Sequence, residues 1–339
     1  MAIRVAINGF GRIGRLVYRI MEKNPDFDVV AINDPHDIKA TAYLMKYDSI
    51  HGRCFEEVEI VEKGLMVDGH KLLVFGERDP EKLPWGDLDI DIVIESTGHF
   101  SDREGASKHL KAGAKRVLIT CPAKGEDITI VMGVNDDLYD PERHFIVSNA
   151  SCTTNCLAPF AKVLLDKFGI ESGFLNTIHA YTSGQGILDA HFKDLRRGRA
   201  AAASIIPTTT GAARAVSLVL PELKGRLDGF ATRVPVPDGS MCDLTVELSR
   251  PVTKEEVNEA MREASRTYLK GILAYTEDPV VSCDIIGSSY SSIFDGEYTM
   301  VRGERSSFIK CIAWYDNEWG YSCRVVDLAR LMGSADQEK

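Results

Sequence analysis

The stretch that most constrains the fold is "IRVAINGFGRIG", residues 3–14, in which an apolar run leads directly into three glycines. Gly9, Gly11 and Gly14 follow the G-x-G-x-x-G spacing. Such glycines permit a tight turn, close approach of the backbone to a pyrophosphate, and close packing of the next helix. A strand, this loop and a helix in succession predict the first unit of a nucleotide-binding parallel sheet.

The same alternation of strand and helix continues through residues 1–150. Runs rich in Val and Ile occur at 3–8, 28–33, 89–96, 116–120, 127–133 and 144–149. Their nearly continuous apolar character is typical of strands that are covered on both faces. Helical segments at 14–24 and 103–113 lie between them, and residues 56–75 resemble a hairpin insertion. We therefore predict an α/β domain with a mostly parallel, doubly wound sheet of the Rossmann type.

From residue 151 the pattern changes. Apolar residues at helical spacing predict a helix over 151–168, with Ser151 as its N-cap and Gly169 as its terminator. Thr253 and Glu256 have the spacing of a capping box. Longer alternating strands are predicted at 173–182, 229–236, 241–249 and 306–315.

This second half predicts an α+β domain with a mixed or antiparallel sheet. A last helix is expected over 318–333. We expect a dinucleotide-binding domain at 1–150, joined by the C-terminal segment at about 318–339, and a catalytic domain at 151–317.

Charge and hydropathy exclude several classes of function. The net charge of -10 argues against non-specific binding to nucleic acid or to an acidic membrane. We find no apolar run of about 20 residues, so no membrane span is expected. The N-terminus lacks the pattern of a signal peptide. The eight scattered cysteines are then expected to be reduced thiols of a cytoplasmic protein.

The second apolar run ends at Asp34, about 20 residues after the third glycine, as a dinucleotide site requires. Its carboxylate would accept hydrogen bonds from an adenosine ribose and repel a 2′-phosphate. The alternative is a glycine-rich turn beside a solvated aspartate. The strand, the glycines, the helix and the acidic residue occur in register, which favours dinucleotide binding and NAD.

A cysteine lies at the predicted start of the second-domain helix, in "SNASCTTNC", residues 148–156. The free amides of a helix N-terminus stabilise a thiolate, so we expect the pKa of Cys152 to be lowered. A metal site would need further ligands nearby, and a redox pair would need two intervening residues rather than three, so we expect neither. Cys156, one turn further on, is expected to be a buried core thiol.

A nucleophilic thiol needs a base, and His179 in "NTIHAYT" is the candidate. It lies in an apolar β run, where an imidazole would be held in place. A histidine satisfied within the core would give the same pattern. Sequence spacing leaves both interpretations open.

Five segments together resemble phosphorylating glyceraldehyde-3-phosphate dehydrogenase: "INGFGRIGR", "SNASCTTNCLAPFAKVL", "SIIPTTTGAA", "RVPVPDGS" and "WYDNEWGYS". The similarity extends from about residue 2 to residue 333. The family oxidises D-glyceraldehyde 3-phosphate to 1,3-bisphosphoglycerate with reduction of NAD, in glycolysis and gluconeogenesis. The resemblance implies that Cys152 attacks the aldehyde to give a thiohemiacetal and then a thioester. It implies that His179 is the base.

The resemblance also assigns the binding residues. Those that hold the substrate phosphate and inorganic phosphate would be Ser151, Thr153, Thr182, Arg196, Thr210, Gly211 and Arg233. Those that contact the cofactor would be Gly9, Gly11, Arg12, Ile13, Gly14, Asp34, Arg78, Thr120 and Asn317. No metal is expected. The family is homotetrameric, which implies the same assembly here.

The chain departs from many NAD-using members near the expected ribose. Pro35 follows Asp34, and Ala190 and His191 follow Asp189. Asp34 still favours NAD, while these changes leave NADP open as a second cofactor.

Two other functions compete with this one. Erythrose-4-phosphate dehydrogenase shares the Cys/His pair, but Thr182 and "PTTTGAA" favour the phosphate-using enzyme. A non-catalytic nucleotide-sensing protein would need neither Cys152 nor His179.

Overall fold

The computed structural model describes residues 2–337, with side chains described to residue 334. Residues 338 and 339, the end of the predicted C-terminal segment, lie outside the described residues. The chain forms two compact units. The first contains the chain up to Ile130, then Asp136–Ala150 and the segment from Ser322 onward. The second contains Val131–Asn135 and Ser151–Tyr321.

The first unit is built on a nine-stranded sheet. Its strands are β1 (Ile3–Asn8), β2 (Phe27–Asn33), β3 (Val58–Val61), β4 (Gly64–Val67), β5 (His70–Phe75), β6 (Ile92–Glu95), β7 (Arg116–Ile119), β8 (Ile128–Thr129) and β9 (Ile146–Ser148). Their order is β3-β4-β5-β2-β1-β6-β7-β9-β8. All neighbours from β5 to β8 are parallel. Only β3, β4 and β5 pair antiparallel, in the region predicted as a hairpin insertion. The predicted doubly wound sheet is confirmed.

Three helices connect these strands: α1 (Arg12–Met21), α2 (Ile38–Lys46) and α3 (Arg103–Lys111). The central strands are apolar because both faces are covered; Ile7, Val93 and Val117 are completely buried. At the start of α3 the Asp102 carboxylate accepts from the Gly105 amide at 2.8 Å. The sequence analysis did not predict α2, a nine-residue helix with only two buried residues, because so short a polar segment has little periodicity.

The second unit is built on a seven-stranded sheet. Its strands are β10 (Ile170–Ala180), β11 (Ile206–Thr209), β12 (Leu227–Val234), β13 (Ser240–Val252), β14 (Leu273–Thr276), β15 (Ser292–Val301) and β16 (Ser306–Tyr315), in the order β11-β12-β10-β13-β16-β15-β14. The pairs β10/β12 and β14/β15 are parallel and the other pairs antiparallel. The predicted mixed sheet is confirmed.

The helices of the second unit include two that begin where the sequence places caps. The helices of this unit are α4 (Cys152–Phe168), α5 (Ala212–Ala215) and α6 (Lys254–Arg266), and α7 (Trp319–Gln337) starts here and continues into the first unit. The Ser151 hydroxyl accepts from the Thr154 amide at 3.0 Å, and Gly169 ends α4 with a φ of 70°. Thr253 and Glu256 form the expected capping box.

The predicted strand at 127–133 is shorter than expected. Only Ile128–Thr129 pairs as β8, because the chain then turns, with Val134 N donating to Val131 O at 3.0 Å and Gly133 at a φ of 79°. Within residues 2–337 no helix combines the length and apolarity needed to cross a membrane.

Candidate active site and cofactor cavity

The three glycines of the first loop serve three different steric needs. Gly9 has a φ of 90°, and a Cβ placed on it would lie 2.6 Å from the Thr97 amide nitrogen. A Cβ on Gly14 would lie 2.2 Å from the carbonyl oxygen of Gly9. A Cβ on Gly11 would meet no atom within 4 Å. The side of Gly11 is therefore open, and only a ligand such as a pyrophosphate would require its lack of a side chain.

The N-terminus of α1 follows this loop. Its first backbone bond runs from Arg15 N to Gly11 O, at 3.1 Å, so the preceding amides of Ile13 and Gly14 have no acceptor within the helix. The N-cap is a glycine without a capping side chain. These amides and the helix dipole favour an anion.

Arg12 contributes to this end of the helix through its backbone, because its guanidinium pairs with Asp48 at 2.5 and 3.1 Å. Burial tends to raise the pKa of Asp48, but the amides of His51 and Ile50 and the Arg12 guanidinium outweigh it and lower the pKa to about 2. The pair is therefore ionised at neutral pH, and the Arg12 guanidinium is engaged with Asp48 rather than directed at an anion by the glycine loop.

A cavity of about 790 Å³ opens beside the glycine loop. Its wall includes four predicted cofactor residues, namely Gly9, Gly11, Asp34 and Arg78, together with Asn8, Asn33, Glu77, Ser96, Thr97 and Phe100. Thr120 is not part of this wall; its hydroxyl donates to the carbonyl of Glu95 at 3.1 Å. The open face of Gly11, the helix amides and the acidic residue together fit NAD.

Asp34 follows the end of β2 and is 9% exposed. Its Oδ1 accepts from the His36 amide at 3.0 Å and also contacts Nδ1 of the His36 ring. Sequence reasoning did not identify His36, which follows the unusual Pro35. The contact places an imidazole against the carboxylate that is expected to select the cofactor.

In the second unit, Cys152 is the first residue of α4, and its Sγ lies 3.5 Å from Nε2 of His179. Cys152 is partly accessible, whereas His179 on β10 is 4% exposed. The fold thus brings together the two residues that sequence spacing could not connect. Cys156 is completely buried, as predicted.

His179 has a backbone carbonyl and a guanidinium as partners of its Nδ1 atom. Its Nδ1 lies 2.7 Å from the carbonyl oxygen of Ala180, and Nη1 of Arg233 lies 2.9 Å from both this oxygen and Nδ1. The parallel pairing of β10 with β12 puts His179 opposite Arg233. A carbonyl oxygen can only accept and a guanidinium can only donate, so these two contacts of Nδ1 favour opposite tautomers, and Nε2 is the ring atom that faces the sulfur.

The predicted lowering of the thiol pKa is wrong. Burial raises the pKa of Cys152 to about 11, and the charge of Arg233 and the Thr153 amide offset only part of this rise. Burial, followed by the charge of Arg233, lowers the pKa of His179 to about 3. The loss of hydration therefore outweighs the amides of the helix end, and both groups are neutral at neutral pH.

The predicted phosphate residues lie on several segments of the second unit, and those whose interactions with the thiol are described are Arg233 and Thr153. Arg233 is largely buried, which lowers its pKa. The Thr153 hydroxyl bonds the Tyr315 hydroxyl at 2.9 Å, and that of Thr210 accepts from Ala212 N at 3.2 Å, beside Gly211 at the start of α5. The Thr182 amide donates to the Gln185 side chain at 3.3 Å.

Besides Arg233, a second arginine charge acts on His179, and it is Arg197, one position beyond the predicted Arg196. Its positive charge contributes to lowering the pKa of both His179 and Arg233. Its Nε donates to the Thr208 hydroxyl at 2.9 Å. Arg196 is exposed. Two adjacent arginines could not be distinguished by sequence, because only the path of the loop decides which one turns inward.

Asn317 is buried, and its Oδ1 accepts from the Ser240 hydroxyl at 2.6 Å. That hydroxyl accepts from the Ala180 amide at 3.0 Å, so Asn317 is connected to the strand that carries His179. Sequence reasoning missed Ser240, although it lies in the quoted segment "RVPVPDGS".

Asp316 directly precedes this asparagine, Asp238 lies two residues before Ser240, and both aspartates are buried. Burial, and then the charges of Asp316 and Glu318, raise the pKa of Asp238 to about 9. Asp316 accepts from the amides of Gly287, Glu318 and Trp319 at 2.7, 2.8 and 2.6 Å. Asp238 is therefore the member of the pair that keeps a proton at neutral pH.

Comparison with known proteins agrees with this architecture. Residues 3–103 match the description "Glyceraldehyde 3-phosphate dehydrogenase, NAD binding domain" and residues 151–317 match its "C-terminal domain". The glyceraldehyde-3-phosphate dehydrogenase of Geobacillus stearothermophilus is 60% identical over 334 residues, 98% of this chain and 99% of the relative.

Two further relatives carry similar names. The glyceraldehyde-3-phosphate dehydrogenase of Streptomyces coelicolor is 58% identical over 336 residues, 98% of this chain and 99% of its own length. Glyceraldehyde-3-phosphate dehydrogenase 1 of Bacillus subtilis is 58% identical over 329 residues, covering 97% and 98%. The comparisons give no support to the erythrose-4-phosphate alternative. On identity over nearly its whole length and on the fold of both units, this chain belongs to the glyceraldehyde-3-phosphate dehydrogenase family.

Proposed function

We propose that the protein oxidises glyceraldehyde 3-phosphate to 1,3-bisphosphoglycerate with reduction of NAD, through covalent catalysis by Cys152. The observation that carries this proposal is the 3.5 Å separation of Cys152 Sγ from Nε2 of His179, and the reaction uses the tautomer with its proton on Nδ1, in which Nε2 accepts. The sequence identity to named relatives supports the same reaction.

The neutral thiol and the neutral imidazole suit an internal proton transfer. A thiolate formed alone would be a single charge in a poorly hydrated pocket. This is unfavourable, and it is the reason why the pKa of the thiol is raised. Transfer of the proton from Sγ to Nε2 of His179 instead creates two opposite charges in contact, which attract each other strongly at low dielectric. His179 therefore makes the nucleophile accessible at neutral pH.

The thiolate attacks the aldehyde carbon, and the new alkoxide takes the proton back from His179, giving a thiohemiacetal. NAD, when bound, supplies the acceptor for the hydride that leaves this carbon. His179 removes the hydroxyl proton as the carbonyl forms again, and the product is a thioester on Cys152. Inorganic phosphate then attacks the thioester carbon, and the sulfur leaves as the thiolate, which releases the acyl phosphate.

Two phosphate groups must be held near the sulfur. Arg233 supplies a guanidinium beside His179, and the hydroxyls of Ser151, Thr153, Thr182 and Thr210 with the Gly211 amide suit phosphate oxygens. We add Arg197 to this set in place of Arg196, because its charge reaches both His179 and Arg233.

The remaining cofactor contacts are proposed on the same basis. The Arg12, Ile13 and Gly14 amides would bind the pyrophosphate, and Arg78 the adenosine side of the cavity. The Oδ1 atom of Asp34 makes the described contacts, so Oδ2 is the atom assigned to the ribose. Thr120 is kept as an adenine-side residue. The Oδ1 atom of Asn317 accepts from Ser240, so its amide nitrogen is assigned to the nicotinamide.

The first unit would then bind the dinucleotide and the second would carry out the chemistry. We also propose a homotetramer, as in the family. Its support is the face of the second sheet that carries Phe174, Phe230, Met300 and Phe308, all exposed. The eight free thiols agree with a cytoplasmic location.

A coupled set of assays tests the proposed reaction. Purified protein is mixed with NAD and either glyceraldehyde 3-phosphate or erythrose 4-phosphate, with and without inorganic phosphate, and formation of reduced cofactor is followed by absorbance. Sustained turnover is expected only with glyceraldehyde 3-phosphate and phosphate together. Faster turnover of erythrose 4-phosphate, or the absence of any turnover, would reject the assignment.

A further inference from the structure

Trp85, His109 and Glu95 form a line of buried polar side chains in the first unit. This line takes no part in the proposed chemistry. His109 and Trp85 are 0% exposed and Glu95 is 2% exposed. His109 comes from α3 and Glu95 ends β6. Burying a carboxylate and an imidazole is costly, and apolar side chains of similar size would often be as stable or more so. Their presence therefore calls for a reason beyond packing.

The hydrogen bonds of this line have a fixed direction. Trp85 Nε1 lies 3.0 Å from Nδ1 of His109, and an indole N–H can only donate. Nδ1 must therefore accept, so the proton of the neutral ring lies on Nε2 and is donated to Glu95 Oε2 at 3.0 Å. The indole thus sets the tautomer of the imidazole, and the imidazole sets the orientation of the carboxylate.

Both oxygens of the Glu95 carboxylate accept hydrogen bonds. Besides His109, Oε2 accepts from Asn8 Nδ2 at 2.5 Å. Its other oxygen, Oε1, accepts from the Thr97 amide at 2.8 Å and from the Thr97 hydroxyl at 2.5 Å. Four donors from three residues converge on one side chain, which fixes it much more firmly than a single bond would.

Both residues that Glu95 holds line the cofactor cavity. Asn8 continues the chain, because its Oδ1 accepts from Asn33 Nδ2 at 2.7 Å. Asn33 in turn binds the backbone of Glu77 in both directions, at 2.8 Å each. Thr97 touches the glycine loop so closely that no Cβ fits on Gly9. The line therefore ends on three segments of the cavity wall.

We propose that His109 and Trp85 are positioning residues for the dinucleotide: they orient Glu95, which holds Asn8 and Thr97 in the cavity wall. The inference rests on the proposed binding of NAD in this cavity. Neither residue lines the cavity itself. The effect passes mainly through the Glu95 carboxylate, and His109 Nε2 also lies 3.3 Å from Asn8 Nδ2.

The test compares His109→Phe, which removes both hydrogen bonds, with His109→Gln, whose amide nitrogen keeps the donor to Glu95. The dissociation constant of NAD is measured by fluorescence titration without aldehyde, and the KM values for NAD and for glyceraldehyde 3-phosphate are determined separately. For His109→Phe we expect about a tenfold weaker NAD binding, the loss of one hydrogen bond to a charged group. For His109→Gln we expect a change within about threefold.

A merely structural role would lower thermal stability and affect both substrates alike. The proposal requires that the KM for glyceraldehyde 3-phosphate stays within about twofold of wild type. An unchanged NAD dissociation constant in a folded His109→Phe variant would overturn it, as would equal losses for both substrates.

If His109→Phe does not fold, Trp85→Phe tests the proposal instead, because it removes only the hydrogen-bond donor to Nδ1 of His109. A weakened NAD affinity with normal KM for the aldehyde supports the proposal, and an unchanged affinity overturns it. These outcomes are separate from the proposed reaction, because wild-type protein that binds NAD but does not oxidise glyceraldehyde 3-phosphate would overturn only the latter.

Discussion

The chemistry proposed for the second unit depends on one sulfur and one imidazole, whose shifted pKa values keep both neutral until they react. Replacing His179 with Asn removes the proton acceptor, so the thiol must ionise alone in a pocket that raises its pKa to about 11. We expect alkylation of Cys152 by iodoacetamide to require a pH higher by about one unit or more in His179→Asn than in wild type.

Mass spectrometry of the alkylated peptides gives an internal control. Cys283 is exposed, and its alkylation should have the same pH profile in both proteins. Identical profiles for Cys152 in the two proteins would mean that His179 does not take its proton.

The adjacent arginines provide a matched pair of variants. Arg197→Ala removes the charge that acts on His179 and Arg233, and we expect kcat/KM for glyceraldehyde 3-phosphate to fall about a hundredfold. Arg196→Ala, on the exposed neighbour, should stay within about threefold of wild type. Steady-state kinetics at saturating NAD measure kcat/KM for both variants. A larger loss in Arg196→Ala than in Arg197→Ala would assign Arg196, and not Arg197, to the phosphate site.

At the scale of elements, two substitutions in the glycine loop are expected to distinguish an effect on cofactor binding from an effect on folding. Gly11→Ala places a methyl group in open space, so the melting temperature should not change while the KM for NAD rises about tenfold or more. Gly14→Ala drives a Cβ to 2.2 Å from Gly9 O and should cost about 1–3 kcal/mol of stability. Calorimetry and cofactor titration distinguish the two, and a destabilised Gly11→Ala would contradict the steric argument.

The segments before β13 and after β16 carry the buried residues Asp238 and Asp316. Folded protein keeps a proton on Asp238 up to about pH 9, whereas the unfolded chain loses it near the ordinary pKa of about 3.9. Between these values the folded state binds more protons, so the free energy of unfolding falls as pH rises, by at most about 1.4 kcal/mol per unit from this group.

Urea unfolding across this window measures the slope. Asp238→Asn keeps a neutral group and should flatten it, while Asp189→Asn, at an exposed ion pair with Arg199, should leave it unchanged. An unaltered slope in Asp238→Asn would show that the proton lies elsewhere.

At the scale of the whole molecule, one face of the second sheet carries exposed apolar side chains, and the described residues 2–337 form no covering layer over them. Strand pairing puts Phe174 opposite Thr245, and Thr245 opposite Lys310, two residues from Phe308. Alternation then places both phenylalanines on one face. Leu175 and Ile309 on the other face are buried, where α4 packs against β13 and β16.

The exposed apolar side chains on this face predict that the protein associates with further copies of itself. Phe174, 73% exposed, is expected to lie in an interface, so Phe174→Asp should reduce the mass measured by sedimentation from that of a tetramer to a smaller species at micromolar concentration. Tyr268→Asp, at an exposed residue just after α6, is the control and should keep the wild-type mass. A tetrameric Phe174→Asp protein would exclude this face from the assembly.

Local signals in the sequence determined much of this protein. Val and Ile runs, the three glycines and the caps at Ser151 and Thr253 specify strands, a turn and helix ends, because each depends on neighbours within a few residues. Similarity to a family then gave the reaction. None of these signals contains a distance between remote side chains.

Tertiary structure decided what depends on such distances. It set the 3.5 Å contact of Cys152 with His179, it let the charge of Arg197 act on His179, and it connected Trp85 to Glu95 through His109. It also reversed the expected shift in the thiol pKa, because the extent to which a group loses water is a property of the packed interior and not of the helix end that carries it.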